Sequence, residues 1–114
     1  MGLDTEKIGD VTIVLLPGET VEASNLQAFM GNMAPILEAN NKVVIDMSRI
    51  RFIDSTGCGA LLSFLKMMQN KGGELKLCSI TDPVNSLFNL MNFDKLFGIY
   101  KTREGAVKAF GVSE

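Results

Sequence analysis

The chain of 114 residues carries a formal net charge of −2 and is 46% hydrophobic and 21% charged. That is enough for one domain with a core of its own and too apolar for a disordered segment, while the scattered basic residues argue against nucleic acid as the main ligand. No apolar run approaches the roughly 18 residues of a membrane span, and the start, Met1-Gly2-Leu3-Asp4-Thr5-Glu6, lacks a secretory signal and puts Glu6 where N-myristoylation of Gly2 requires Ser or Thr.

Residues 3–8 and the apolar run Val11, Ile13, Val14, Leu15 and Leu16 flank Gly9-Asp10, which predicts a β-hairpin ended by Pro17-Gly18. From Val21 the period lengthens. Leu26, Phe29, Met30, Met33, Ile36 and Leu37 share one face of an amphipathic helix, with Ser24 or Asn25 as its cap and Asn40-Asn41 at its end. Pro35 lies inside that pattern, removes a backbone donor and predicts a kink or a break. Residues 42–47 are β-branched on both parities, as in a strand covered on both faces of a parallel or mixed sheet. Residues 49–53 read as an extended connection with one buried edge.

A second helix is expected over about 57–70, with Cys58, Leu61, Leu62, Leu65 and Met68 inward and Gly72-Gly73 ending it. Met67 and Met68 are adjacent and cannot both face inward. Residues 74–80 alternate as a strand. Asp82-Pro83 opens a third helix, with the carboxylate as cap, proline in the first helical position and Val84, Leu87, Phe88 and Met91 as its apolar face. Met30, Met33 and Met91 are thus expected to fill the core. A strand over 98–101 and a helix over 103–110 complete the order ββαβαβαβα, an α/β domain with helices on at least one face of an open sheet.

The one segment with chemical content is Asp54-Ser55-Thr56-Gly57-Cys58-Gly59, between an extended stretch and a helix. A hydroxyl there meets the positive end of the helix dipole and its free amides. Ser, Thr and Asp are also ordinary helix caps, so capping alone is the competing reading. The spacing is neither GxGxxG nor a Walker loop. It is not a nucleophile elbow, because Ile53 stands two before Ser55. Without a histidine there is no Ser-His-Asp or Cys-His arrangement and little basis for zinc. Cys58 and Cys78 lack CxxC spacing and read as reduced thiols, Cys58 as a packed core thiol rather than a redox sensor. Asp46 and Asp54 as paired catalytic carboxylates form no recognisable acid–base or metal pattern.

In its order, Val43-Val44-Ile45-Asp46-Met47-Ser48, Phe52-Ile53-Asp54-Ser55-Thr56-Gly57-Cys58-Gly59-Ala60-Leu61-Leu62, Gly72-Gly73-Glu74-Leu75-Lys76-Leu77, Asp82-Pro83-Val84 and Phe93-Asp94-Lys95-Leu96-Phe97, the chain resembles the STAS-domain anti-sigma factor antagonists. The resemblance implies a single STAS-like domain over 1–114, with a mixed open sheet of four to five strands packed with about four helices. It implies a cytoplasmic bacterial partner switch and no enzyme. The unphosphorylated protein binds an anti-sigma factor that is also a serine kinase, and so releases the sigma factor. Phosphorylation on Ser55 ends binding, and a PP2C-type phosphatase restores it. The partner-binding residues carried over are Glu22, Asp54, Ser55, Thr56, Gly57 and Cys58. No cofactor, metal ligand, direct nucleic-acid contact or membrane insertion is implied. Two positions depart from the family. The chain reads Thr20-Val21-Glu22 where a hydrophobic residue and then Asp are usual after Gly18-Glu19, so either Glu22 substitutes for that acidic contact or the contact is lost. Cys58 stands where Leu is frequent. A STAS adaptor subunit of a transporter or stress-signalling complex, not switched by Ser55, is the alternative.

Overall fold

The computed structural model describes residues 3–111, so Met1-Gly2 and the last three residues of the expected domain lie outside the described residues. Strands β1 (Asp4–Ile8) and β2 (Val11–Leu15) form the expected hairpin, with Ile8 opposite Val11. Gly9 supplies the positive φ, 61°, that a two-residue turn requires and that a side chain would oppose. Beyond the hairpin lie β3 (Thr20–Val21), α1 (Leu26–Ala39), β4 (Lys42–Asp46), β5 (Phe52–Ile53) and α2 (Ser55–Asn70). The chain continues through β6 (Glu74–Cys78), α3 (Asp82–Leu90), a 3₁₀ turn at Phe93–Lys95, β7 (Gly98–Tyr100) and α4 (Arg103–Ala109).

The main sheet runs β1-β2-β4-β6-β7, antiparallel only between β1 and β2. It is the mixed five-stranded α/β sheet expected. Each of α1, α2 and α3 crosses between neighbouring parallel strands, always advancing in the same direction across the sheet. Right-handed crossovers therefore stack all three on one face. There Phe29, Met33, Leu37, Leu61, Phe64, Val84 and Phe88 meet Val14, Val43, Ile45, Leu75 and Leu77. On the opposite face Ala106 and Val107 of α4 pack on Val11, Ile13, Val44 and Cys78. Alternate residues of β4 thus bury on alternate faces, which is why its sequence shows no alternation. The strand order never reverses, so this sheet has no switch-point crevice of the dinucleotide-binding kind.

Local expectations needed correction at several points. Helix α1 passes through Pro35 without a break. Pro35 and Gly31, four residues before it, are both exposed, which leaves the carbonyl that loses its donor on the solvent side of the helix. Met30, placed in the core by periodicity, is exposed, because it stands on the border of the stripe roughly 60° from Met33. Met91 is exposed as well, since α3 has already ended. Phe64, which the apolar face of α2 omitted, is buried edge-on against Phe29 at 5.3 Å. Thr81 rather than Asp82 precedes α3, and its hydroxyl donates to the carbonyl of Ile50 at 2.6 Å. The end of α1 is closed from outside, with Lys71 Nζ donating to the carbonyls of Glu38 at 2.9 Å and Asn40 at 3.0 Å. That cation complements the negative end of the helix.

Helix α4 is held to its face by charge as well as by packing. Asp46, buried at the end of β4, accepts from Arg103 Nε at 2.6 Å and from the Ser48 amide at 2.9 Å, while Arg103 Nη1 reaches Glu6 at 2.8 Å. Burial pushes the Asp46 carboxyl upward, but Arg103 and the Ser48 hydrogen bonds together outweigh it and hold the group below the usual carboxylate range. A carboxyl lowered by folding contributes stability that is present above its unfolded value, about 3.9, and fades as pH falls through the folded value. Replacing Arg103 by Met should cost about 2–3 kcal/mol at pH 7, because it orphans a buried charge whose partner was itself partly solvated. The gap to wild type should narrow as pH falls through the carboxylate range, because Asp46 protonates first in the variant, where Arg103 no longer offsets its burial, and then in wild type. Urea unfolding of both proteins at pH 7 and in acid measures it.

Candidate functional site

The hexapeptide singled out in the sequence sits beyond the C-terminal ends of the inner strands β2 and β4. Beyond β2 the chain turns at Pro17-Gly18 and forms β3, and beyond β4 it forms β5. These two-residue strands pair in parallel, Thr20 with Phe52 and Val21 with Ile53. Neither was foreseen as a strand, because two residues carry no period. The Glu19 carbonyl accepts from the amides of Arg51 at 2.7 Å and Phe52 at 3.2 Å, which ties the two connections together just before the site. Ile53 points into the core, and Phe52 points out with half of its surface exposed.

Asp54 follows β5 and caps α2, which starts at Ser55, two residues earlier than expected. Its Oδ1 accepts from the Gly57 amide at 2.9 Å and from the Thr56 hydroxyl at 2.6 Å. Its Oδ2 accepts from the Ala23 amide at 3.0 Å, 31 positions away in the chain. The Thr56 hydroxyl, then the Gly57 amide, holds the Asp54 carboxyl below its ordinary value against the opposing effect of burial, and the Ala23 amide adds to them. The carboxylate is therefore charged at neutral pH, as an N-terminal helix cap should be. Asn25 braces the loop from its other end. Its Oδ1 accepts from the Glu22 amide at 2.9 Å, and its Nδ2 donates to the Thr20 carbonyl at 2.8 Å.

Ser55 is the first residue of α2 and is exposed. Its hydroxyl takes no part in the hydrogen bonds that hold this turn, all of which converge on Asp54. Capping, the competing reading of that hydroxyl, is done by its neighbour. Thr56 is exposed, and Glu22 is half-buried in the loop that Ala23 joins to Asp54. Gly57 and Cys58 do not reach the surface. The structure therefore brings Glu22, Asp54, Ser55 and Thr56 together and turns the other two predicted contact residues inward. Burial pushes the Cys58 thiol up, with the Asp54 charge adding to it, and burial pushes Cys78 up to about 11. Both are unreactive core thiols in this geometry.

The two glycines of the motif differ in kind. A Cβ on Gly57 would lie 2.7 Å from the Val21 carbonyl oxygen and 2.7 Å from Ile53 Cγ1, so this residue is what lets α2 approach β3. A Cβ on Gly59 would meet nothing within 4 Å. Gly59 is exposed, and in a helix interior glycine costs up to about 1 kcal/mol relative to alanine without a packing reason here. Its effect is to leave the surface beside Ser55 bare. The other carboxylate weighed for catalysis, Asp46, serves the Arg103 pair and does not join Asp54. Among the described residues no group of three or more His, Cys, Asp or Glu is placed to hold a metal ion, and no helix is long and apolar enough to cross a membrane.

A STAS domain signature matches residues 2–106. The chain belongs to the STAS domain family. Over 110 residues it is 30% identical to BtrV of Bordetella bronchiseptica, which carries the provisional name of an anti-sigma factor antagonist, a match that covers 96% of this chain and 95% of that one. It is 28% identical over 76 residues to the anti-sigma-B factor antagonist of Bacillus subtilis, covering 67% and 70% of the two chains. The crystal structure of a Thermotoga maritima protein, also provisionally named an anti-sigma factor antagonist, superposes with a TM-score of 0.86 at 26% identity, covering 94% of this chain and 92% of that one. The resemblance read from the motifs is thus a family relationship, and the fold described above is shared with the Thermotoga structure.

In this STAS domain Gly57→Ala should destabilise by about 1–3 kcal/mol, because the new methyl group meets backbone that cannot move aside. Gly59→Ala should be neutral or stabilising by up to about 1 kcal/mol. Urea midpoints of the two variants check the contrast. Both thiols should resist an aromatic disulfide reagent in the native protein and react once urea unfolds it.

Proposed function

We propose that this STAS protein is an anti-sigma factor antagonist in a bacterial partner switch and is regulated on Ser55. Its unphosphorylated form binds an anti-sigma factor that is also a serine kinase, and binding releases the sigma factor. Phosphorylation of Ser55 ends binding, and a PP2C-type phosphatase returns the protein to the binding form. The chain acts as a single cytoplasmic domain over 1–114, a binding module and kinase substrate with no catalysis of its own. The observation that carries this reading is the Ser55 hydroxyl itself, exposed in the first turn of α2 and relieved of capping by Asp54. The names of the curated relatives support the role. The contact surface comprises the exposed parts of Glu22, Ser55, Thr56 and the bare backbone at Gly59, with Asp54 holding the first three in register.

The magnitudes suffice for a switch without refolding. A phosphate adds about −1.5 to −2 charges beside the ionised Asp54. The helix N-terminus returns about 0.3–1 kcal/mol of that, so the fold tolerates the modification. A charge buried at an interface without a partner costs on the order of 3–5 kcal/mol, and about 2.8 kcal/mol already weakens binding a hundredfold.

Intact-mass and phosphosite measurements on the protein recovered from its own cells, with phosphatases inhibited, should find phosphate on Ser55 at an occupancy that varies with growth and stress. Ser55→Asp should bind the cognate anti-sigma factor at least about tenfold more weakly than Ser55→Ala. Equal binding by the two variants sinks the switch. Ser55 unmodified under every condition turns the reading to the adaptor subunit, whose partner is then a transporter or stress complex.

A further inference from the structure

Two hydroxyls stand side by side in the first turn of α2, and both are exposed. They are not equivalent. The Thr56 hydroxyl donates to Asp54 Oδ1 at 2.6 Å, within the range of a charge-assisted bond. The same carboxylate holds the Gly57 amide of its own helix and, through Oδ2, the Ala23 amide of the β3–α1 loop. Glu22 precedes Ala23, and its own amide is tied to Asn25. A continuous path of three side-chain and backbone groups therefore runs from Thr56 through Asp54 to the loop that carries Glu22. Ser55, lying between Asp54 and Thr56 in the chain, is outside that path.

We infer that Thr56 is a positioning residue, which through Asp54 holds the Glu22 loop against the first turn of α2 and, with its hydroxyl committed there, leaves Ser55 as the one acceptor hydroxyl of this turn. The first half stands on the geometry alone; the second rests on the phosphorylation reading above. In that transfer the Ser55 Oγ forms a bond to the γ-phosphorus of a nucleoside triphosphate held by the kinase. The bond from that phosphorus to the β-bridging oxygen breaks, the diphosphate departs, and the hydroxyl proton passes to a base on the kinase. The same attack from Thr56 would first break its hydrogen bond to Asp54. It would then set a phosphate dianion against a carboxylate that had lost a donor. Valine in place of Thr56 keeps the shape and removes the donor, and serine keeps the donor.

The test is made on the full chain by nuclear magnetic resonance, comparing wild type, Thr56→Ser and Thr56→Val. In the valine variant the Asp54 titration midpoint should move up towards the ordinary carboxylate value, since the Thr56 hydroxyl is the largest influence lowering it. Exchange of the Ala23 amide should quicken at least roughly fivefold, while the amides of β4 stay as they were. The serine variant should restore both readings. A valine variant with the Asp54 midpoint and the Ala23 exchange of wild type overturns the positioning role. For the acceptor choice, Ser55→Ala recovered from cells should carry no phosphate on Thr56, and phosphate there overturns it. If wild type itself carries none on Ser55, the phosphorylation reading falls and the resonance data alone decide the positioning role.

Discussion

One carboxylate holds the site together. Asp54 accepts hydrogen bonds from three donors on two segments that lie 31 positions apart in the chain. It starts α2, complements the positive end of that helix and fastens the β3–α1 loop to it. Because both of its oxygens are occupied in this way, Ser55 needs to do no structural work. A side chain freed from structural work and left at the surface is available for modification, and that freedom is a consequence of the neighbour's geometry. The arrangement also keeps the local charge fixed. The donors that bind Asp54 stabilise its ionised form, so a fixed anion stands beside the Ser55 hydroxyl.

The scaffold beneath the site is stiff for reasons of packing. Strand β4 is buried on both faces, and its end leads through a buttressed connection to β5 and Asp54. Gly57 allows α2 to lie against the Val21 backbone with no room for a methyl group, so the hydroxyl-bearing turn and the Glu22 loop have one spacing. Gly59, one turn on from Ser55, has no such constraint. The difference between the two glycines separates a residue whose lack of a side chain the packing requires from one on which the packing makes no such demand. On the far side of the sheet, Arg103 joins α4 to the end of the same strand through Asp46. The two carboxylates near the end of β4 thus have unlike tasks, one anchoring a helix by an ion pair and the other capping a helix through backbone amides.

Most of the architecture was legible in the sequence because it rests on long periodic runs. The hairpin turn at Gly9-Asp10, the doubly buried β4, α2 and the strand–helix alternation were all visible as patterns, and the motif around Ser55 pointed to the family. The misreadings share a cause. Met30 and Met91 sit where a periodic stripe ends, and periodicity does not say whether a neighbouring element covers its border. Pro35 breaks a rule that holds for a buried helix and matters less on a solvated face. Strands β3 and β5 are too short for any pattern, and they exist because the two connections run side by side. Asp82 lost the capping position to Thr81, whose hydroxyl reaches Ile50, a contact set by the packing of α3 on the β4–β5 connection.

The sequence by itself determined the fold class, the order of elements, the location of the candidate site and the family, since each is encoded in local spacing or in a contiguous motif. Only the tertiary structure decided how the work within that motif is divided. Asp54 caps, Thr56 serves Asp54, Gly57 and Cys58 turn inward, and Ser55 stays free. That division depends on Ala23 and Val21, which meet the motif across more than 30 positions of chain. Hydrogen bonds and steric contacts act over a few ångströms whatever the distance along the sequence, so only the folded chain could assign them.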